Sequence, residues 1–180
     1  MPTLIDKTGR VTDDWICAHA DGPRPPPAAN VLIPLALYRE DPSGWHARPG
    51  RLGLLLSPAD DPQQIDAELE HLSLVAIEFP SFTDGRGYSI ARLLRERHHW
   101  RGELRAVGEV LRDQLQSLAR CGFDGFALSD GVDIDQALAA FADFDEHYQA
   151  DALGNAPFDR RGTQEPTTRR LANHTALRKD

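Results

Sequence analysis

From Gly53 onward, short apolar runs and segments of helical period take turns along the chain. Gly53–Leu56, Leu74–Phe79, Leu104–Val107 and Phe123–Leu128 are apolar runs with polar or glycine borders, the pattern of strands covered on both faces. Between them, Asp61–Leu72, Ile90–Arg97 and Val110–Arg120 repeat apolar residues at helical spacing. Pro62 suits a first helical turn, and Gly122 suits the position just past a helix end. A further helix is expected from Ile134 to about Tyr148. Strand–helix alternation builds parallel sheets through right-handed crossovers, so the expected fold class is α/β, a mostly parallel sheet of alternating β-α units. Four such strands suit either an open doubly wound sheet or half of a (β/α)₈ barrel, and periodicity does not separate the two.

The flanks read differently. Residues 1–52 form an irregular N-terminal extension with short strands, in which the stretch Asp21-Gly22-Pro23-Arg24-Pro25-Pro26-Pro27 bars a helix and runs extended. Val31–Leu37 is a strand that Pro34 demotes to an edge strand or an irregular one. Residues 53–150 are the repeating core, and 151–180, with Pro157, Gly162, Pro166 and a basic finish in Arg169-Arg170 and Arg178-Lys179, read as a flexible tail. The 180 residues, 41% hydrophobic, fit one domain.

Net charge and cysteine usage narrow the function classes. A formal charge of −8 repels nucleic acid and anionic membranes at long range. Cys17 and Cys121 form no CxxC pair and no Cys/His cluster, which excludes a disulfide scaffold and a zinc or iron–sulfur site and leaves the metal expectation at none. No apolar run approaches the ~20 residues that span a bilayer, and the start lacks a signal-peptide pattern, so a soluble cytoplasmic protein is expected.

The richest chemistry lies in LVAIEFPSFTDGRGYS, Leu74 to Ser89, where a strand runs into a glycine-spaced charged loop and then a helix. Gly85 and Gly87 permit positive φ and close backbone approach, and Ser89 stands where it would cap the helix Ile90–Arg97. A helix start welcomes an anion, because its first N–H groups lack intrahelical partners. Asp84 and Arg86 lie beyond the strand's carboxyl end, where α/β folds gather ligands; a tight turn and a solvated ion pair are the alternative. Glu78, Arg105 and Asp124 each place one charge in a strand and are expected to partner one another, as a register-fixing set or as the polar floor of a site. Arg112 offers a forked donor pair, with Asp113 and Gln114 as alternatives facing water. The adjacent pair His98-His99 does not share a helix face and suits a helix end better than a metal. Cys121 at a helix end is an inert thiol. DGRG is not GxGxxG, and no Walker-type lysine occurs.

The strings DGRGYSIARLLR, ELRAVG, LRDQL and RCGFD, within roughly Gly53 to Phe144, resemble a bacterial family of unknown function, family nine-three-four, labelled as an oxidoreductase of sulfite reduction. The resemblance implies association with assimilatory sulfur metabolism, because its members are typically encoded beside sulfite reductase. It implies a pathway and no reaction. After LRDQL the family often carries large apolar residues where this chain has Gln116-Ser117.

The leading expectation is an accessory protein of sulfite reduction that binds a small anion or docks to sulfite reductase or another sulfur-assimilation enzyme. As a sulfite-pathway oxidoreductase it would use an unidentified cofactor, with Asp84 or Glu78 as acid/base. In either case the anion would lie against Arg86, Arg105, Arg112, Gly85, Gly87 and Ser89. A structural subunit that forms homodimers is the third expectation.

Overall fold

The computed structural model describes residues 3–141. Seven strands form one sheet: β1 (Thr3–Ile5), β2 (Trp15–Cys17), β3 (Asn30–Pro34), β4 (Leu52–Leu56), β5 (Leu74–Phe79), β6 (Glu103–Gly108) and β7 (Gly125–Leu128). Their order is β1-β7-β6-β5-β4-β3-β2. Strands β2 to β7 pair in parallel with their sequence neighbours, whereas β1 lies antiparallel against β7. The sheet is therefore mixed. Consecutive parallel strands lie side by side with no reversal of order, so there is no switch point of the doubly wound kind, and the sheet curls as a half-barrel.

Regular β-α alternation begins later than a uniform repeat requires. No helix joins β1 to β2 or β2 to β3. Prolines at 23, 25, 26 and 27 deny the second connection the N–H groups a helix needs. β3 lies between β2 and β4 rather than at an edge, because Pro34 is its last residue and stands just before helix α1 (Leu35–Tyr38). Residues before Gly53 thus share the sheet with those after it. A second short helix, α2 (Pro42–His46), is capped by the Asp41 carboxylate, which accepts the Gly44 N–H at 2.9 Å.

The expected helix at 61–72 is a run of 3₁₀ turns, Pro62–His71, that buries Ile65 and Leu69. Helix α3 spans Arg86–Arg92 and widens into a π turn over Leu93–Arg97. A 3₁₀ turn at Arg112–Gln114 leads into α4 (Leu115–Arg120), which ends before Gly122 at φ +99°. Helix α5 is described over Ile134–Ala139. Its expected extension to Tyr148 and the tail from 151 lie outside the described residues.

The main core joins these helices to one sheet face through Val31, Ile33, Leu54, Leu56, Val75, Ile77, Leu104 and Phe126. The opposite, inner face carries a smaller cluster of Leu32, Leu74 and Ala76, edged by Trp15, Leu55 and Val107. No described helix is long and apolar enough to cross a membrane.

Candidate functional site at the carboxyl edge

The carboxyl ends of β5, β6 and β7 feed three loops that are laced together. Gly108 ends β6 at φ +93°, and a Cβ there would stand 2.4 Å from the Phe79 carbonyl oxygen, so only glycine fits the approach. The Glu109 N–H donates to that carbonyl at 2.7 Å, and the Ser129 N–H donates to the Val110 carbonyl at 3.0 Å. Above this seam, the Phe82 N–H donates to the Glu109 carboxylate at 3.1 Å. Gln114, only 8% exposed, donates from Nε2 to the Phe82 carbonyl at 3.2 Å and accepts the Leu111 N–H at 2.9 Å. One buried amide thus fixes both loops. They hold two apolar side chains in solvent, Phe82 at 56% and Leu111 at 38% exposure.

The residues expected to hold an anion are arranged otherwise. Asp84 accepts the Arg86 backbone N–H at 3.1 Å, Nε at 3.0 Å and Nη2 at 2.6 Å. The chain supplies its own anion at this helix start. The hydrogen bonds from Arg86 hold the Asp84 carboxyl below the usual carboxylate range, and the same bonds raise the guanidinium. Neither Gly85 nor Gly87 has a positive φ. Gly85 has open space around it, while a Cβ on Gly87 would meet the Phe79 ring at 2.6 Å, so Gly87 serves the packing of α3 on β5. Ser89 lies inside α3, which starts a turn earlier than its capping role required.

The strand charges separate. Arg105, 4% exposed, gives Nε and Nη2 to Glu103 at 3.0 and 2.8 Å and Nη1 to Asp13 at 2.9 Å. It borders a 330 Å³ cleft with Val11, Trp15 and Arg51, toward the amino ends of the strands. Asp124 is taken by Arg95, at 2.5 Å from Nη2, and by the Leu104 N–H at 3.0 Å. Glu78 faces inward opposite Val107, half-buried, and makes no hydrogen bond or ion pair among the described residues. Arg112 reaches the Gln136 carbonyl at 3.0 Å and lies 3.7 Å from Asp113. The expected Glu78–Arg105–Asp124 set does not form, and Arg86 and Arg105 serve different ends of the sheet.

Gln114 is the residue that reading the sequence misses, since helical spacing allows it to face water. The available signal is its place three residues after Leu111, the spacing at which a side-chain amide reaches back to a helix-start N–H. Cys121 is half-buried, and burial pushes its thiol pKa up, as an inert thiol requires. His98 pairs through Nδ1 with Asp66 at 2.8 Å, and no group of three or more metal-ligating side chains occurs among the described residues.

A family model matches residues 53–158, more than half of the chain and all of the loops just described through Ser129. The chain belongs to the bacterial family of unknown function DUF934. No curated protein matches it. In this DUF934 protein the matched segment takes in β5 to β7 and the Gln114 brace, while β1, β2 and β3 precede it.

Proposed function

We propose that this DUF934 protein is an accessory component of assimilatory sulfite reduction that docks to a sulfite reductase through the Phe82–Leu111 platform. The observation that carries the reading is an exposed aromatic side chain whose loop is fixed at both its N–H and its carbonyl. A preordered apolar knuckle pays little entropy when a partner covers it. The charged groups favour docking over anion capture at this edge. An incoming anion at Arg86 has to displace Asp84, and one at Arg112 has to displace the Gln136 carbonyl. The pathway comes from the resemblance of DGRGYSIARLLR, ELRAVG and RCGFD to the family. Immobilised sulfite reductase and the full chain on a biosensor test the reading. Phe82→Ser and Leu111→Ser each weaken binding at an unchanged melting temperature. Failure of the wild type to bind, or equal binding by both variants, contradicts it.

A second reading, an oxidoreductase with an unidentified cofactor, is favoured by Glu78, a half-buried carboxylate with no partner among the described residues. The same carboxylate raises the pKa of Cys17 after burial has done so. An absorbance spectrum of the purified protein separates the readings: a bound chromophore supports the enzyme, and a colourless protein supports the adaptor.

A further inference from the structure

A second cluster lies on the other edge of the sheet, at the amino ends of β4 and β5. A cavity of about 190 Å³ opens there among Trp45, His46, Arg48, Arg51, His71 and Ser73. It is below the ~300 Å³ at which drug-sized pockets begin, so its occupant is small. Its lining is basic. Arg48 and Arg51 carry fixed charges, and the His46 and His71 rings, with centroids 4.8 Å apart, add charge when protonated.

The electrostatics of Arg48 set this site apart. Its Nη groups donate to the carbonyls of Pro25 at 3.0 Å, Pro26 at 2.5 Å and Ala29 at 3.4 Å, which orient the guanidinium without cancelling its charge. No carboxylate lies within ion-pair reach of it among the described residues, and its Nε is buried without a partner. Arg24 stands 4.3 Å over the Trp45 ring that Arg48 also faces at 5.7 Å, which puts two cations on one indole. Burial and then the Arg24 charge pull the Arg48 pKa down, the direction expected of a cation short of a counter-charge.

The surrounding structure is held in place before any ligand arrives. A Cβ on Gly50 would lie 2.1 Å from the Ala29 carbonyl oxygen, and the Gly50 N–H donates to Pro27 at 3.2 Å, so the turn before β4 is locked to the proline segment. The Tyr38 hydroxyl, kept protonated by burial and by Glu68, donates to the Glu68 carboxylate. Its 2.8 Å contact with His46 Nε2 then requires that nitrogen to carry the proton, which fixes the tautomer and leaves Nδ1 as the other ring nitrogen. His71 Nε2 lies 3.3 Å from Glu70, and Arg51 is answered by Asp14 at 2.9 Å.

We infer that this cavity binds a small free oxyanion of the sulfate and phosphate class, held by the uncompensated charge of Arg48 with Arg51 and His71 at the rim. The site is independent of the docking platform, whose residues do not line it. Titration calorimetry of the full chain with inorganic sulfate and with inorganic phosphate tests it. The wild type binds at least one of them saturably at a single site. Arg51→Ala and His71→Ala, both at exposed positions, weaken binding about tenfold or more, the scale of a lost charge-assisted contact. Arg92→Ala, which removes an exposed arginine paired with Glu96 elsewhere, leaves binding unchanged. Melting curves confirm that each variant is folded. Absence of saturable binding by the wild type overturns the inference. So does wild-type affinity in both rim variants, or equal weakening by Arg92→Ala.

Discussion

Arginines stand at both edges of the sheet, and they differ in what answers them. At the carboxyl edge, Arg86 is bound in a fork by Asp84, two residues away, and Arg112 is fixed on α5 through the Gln136 carbonyl. At the amino edge, Arg48 is held by three carbonyl oxygens that leave its charge standing. Proximity of an arginine to a strand end therefore does not by itself mark a charge left unanswered by the fold. What draws an anion is charge the fold has oriented but not neutralised, and what remains at the other edge is apolar surface on a rigid support.

Breaking an internally answered charge at the amino edge gives the largest expected effect. Arg105→Ala leaves Glu103 and Asp13 without their cation next to a buried strand, and because both carboxylates are partly exposed, the loss is about 2–3 kcal/mol. Urea denaturation at neutral pH measures it. A loss under ~0.5 kcal/mol would mean that Arg105 is not architectural.

Gln114→Ala strips the brace from the carboxyl edge. It leaves the Phe82 carbonyl and the Leu111 N–H unanswered, and a cost of about 1–2 kcal/mol is expected together with weaker docking. Hydrogen exchange at Phe82 and Leu111 should quicken in this variant. Unchanged exchange would show that the loops hold each other without it.

Arg86→Ala is expected to leave the melting temperature unchanged, because an exposed pair between near neighbours adds little. The smallest effect is its pH signature. Asp84 has a folded pKa depressed below its ordinary value, so its contribution is fully present above about pH 4 and fades as pH falls through the folded value. The stability difference between wild type and Asp84→Asn is expected to be present at pH 6 and to vanish at the acid end. A difference that grows on acidification reverses the assigned sign.

The strands were legible where burial on both faces leaves no polar alternation to blur them. Leu74–Phe79 matches its expected bounds, and the strands near Leu54 and Leu104 differ from theirs by a residue or so. Helices were harder to place. The apolar spacing of Pro62, Ile65 and Leu69, three residues and then four, fits a pitch of 3.6, yet the segment is wound as 3₁₀ turns, which the spacing does not announce. The start of α3 was set by Asp84 accepting the Arg86 N–H, a role that a DG pair in sequence hides under its turn propensity. Of the candidate site, the loop position was legible and the partners were not. Asp13 reaches Arg105 across 92 residues of sequence, and no local pattern announces that pairing. The amino-edge cavity was equally hidden, since its walls come from α2, the turn before β4 and the end of the 3₁₀ run.

The contrast between the edges is tested most directly by mapping backbone amide shifts in nuclear magnetic resonance spectra of the full chain as inorganic sulfate is added. Saturating shifts at Arg48, Gly50, Arg51, His71 and Ser73, with Gly85 to Ser89 unmoved, are the predicted result. Saturating shifts confined to Gly85–Ser89 would place the anion at the helix start that Asp84 occupies and contradict the account.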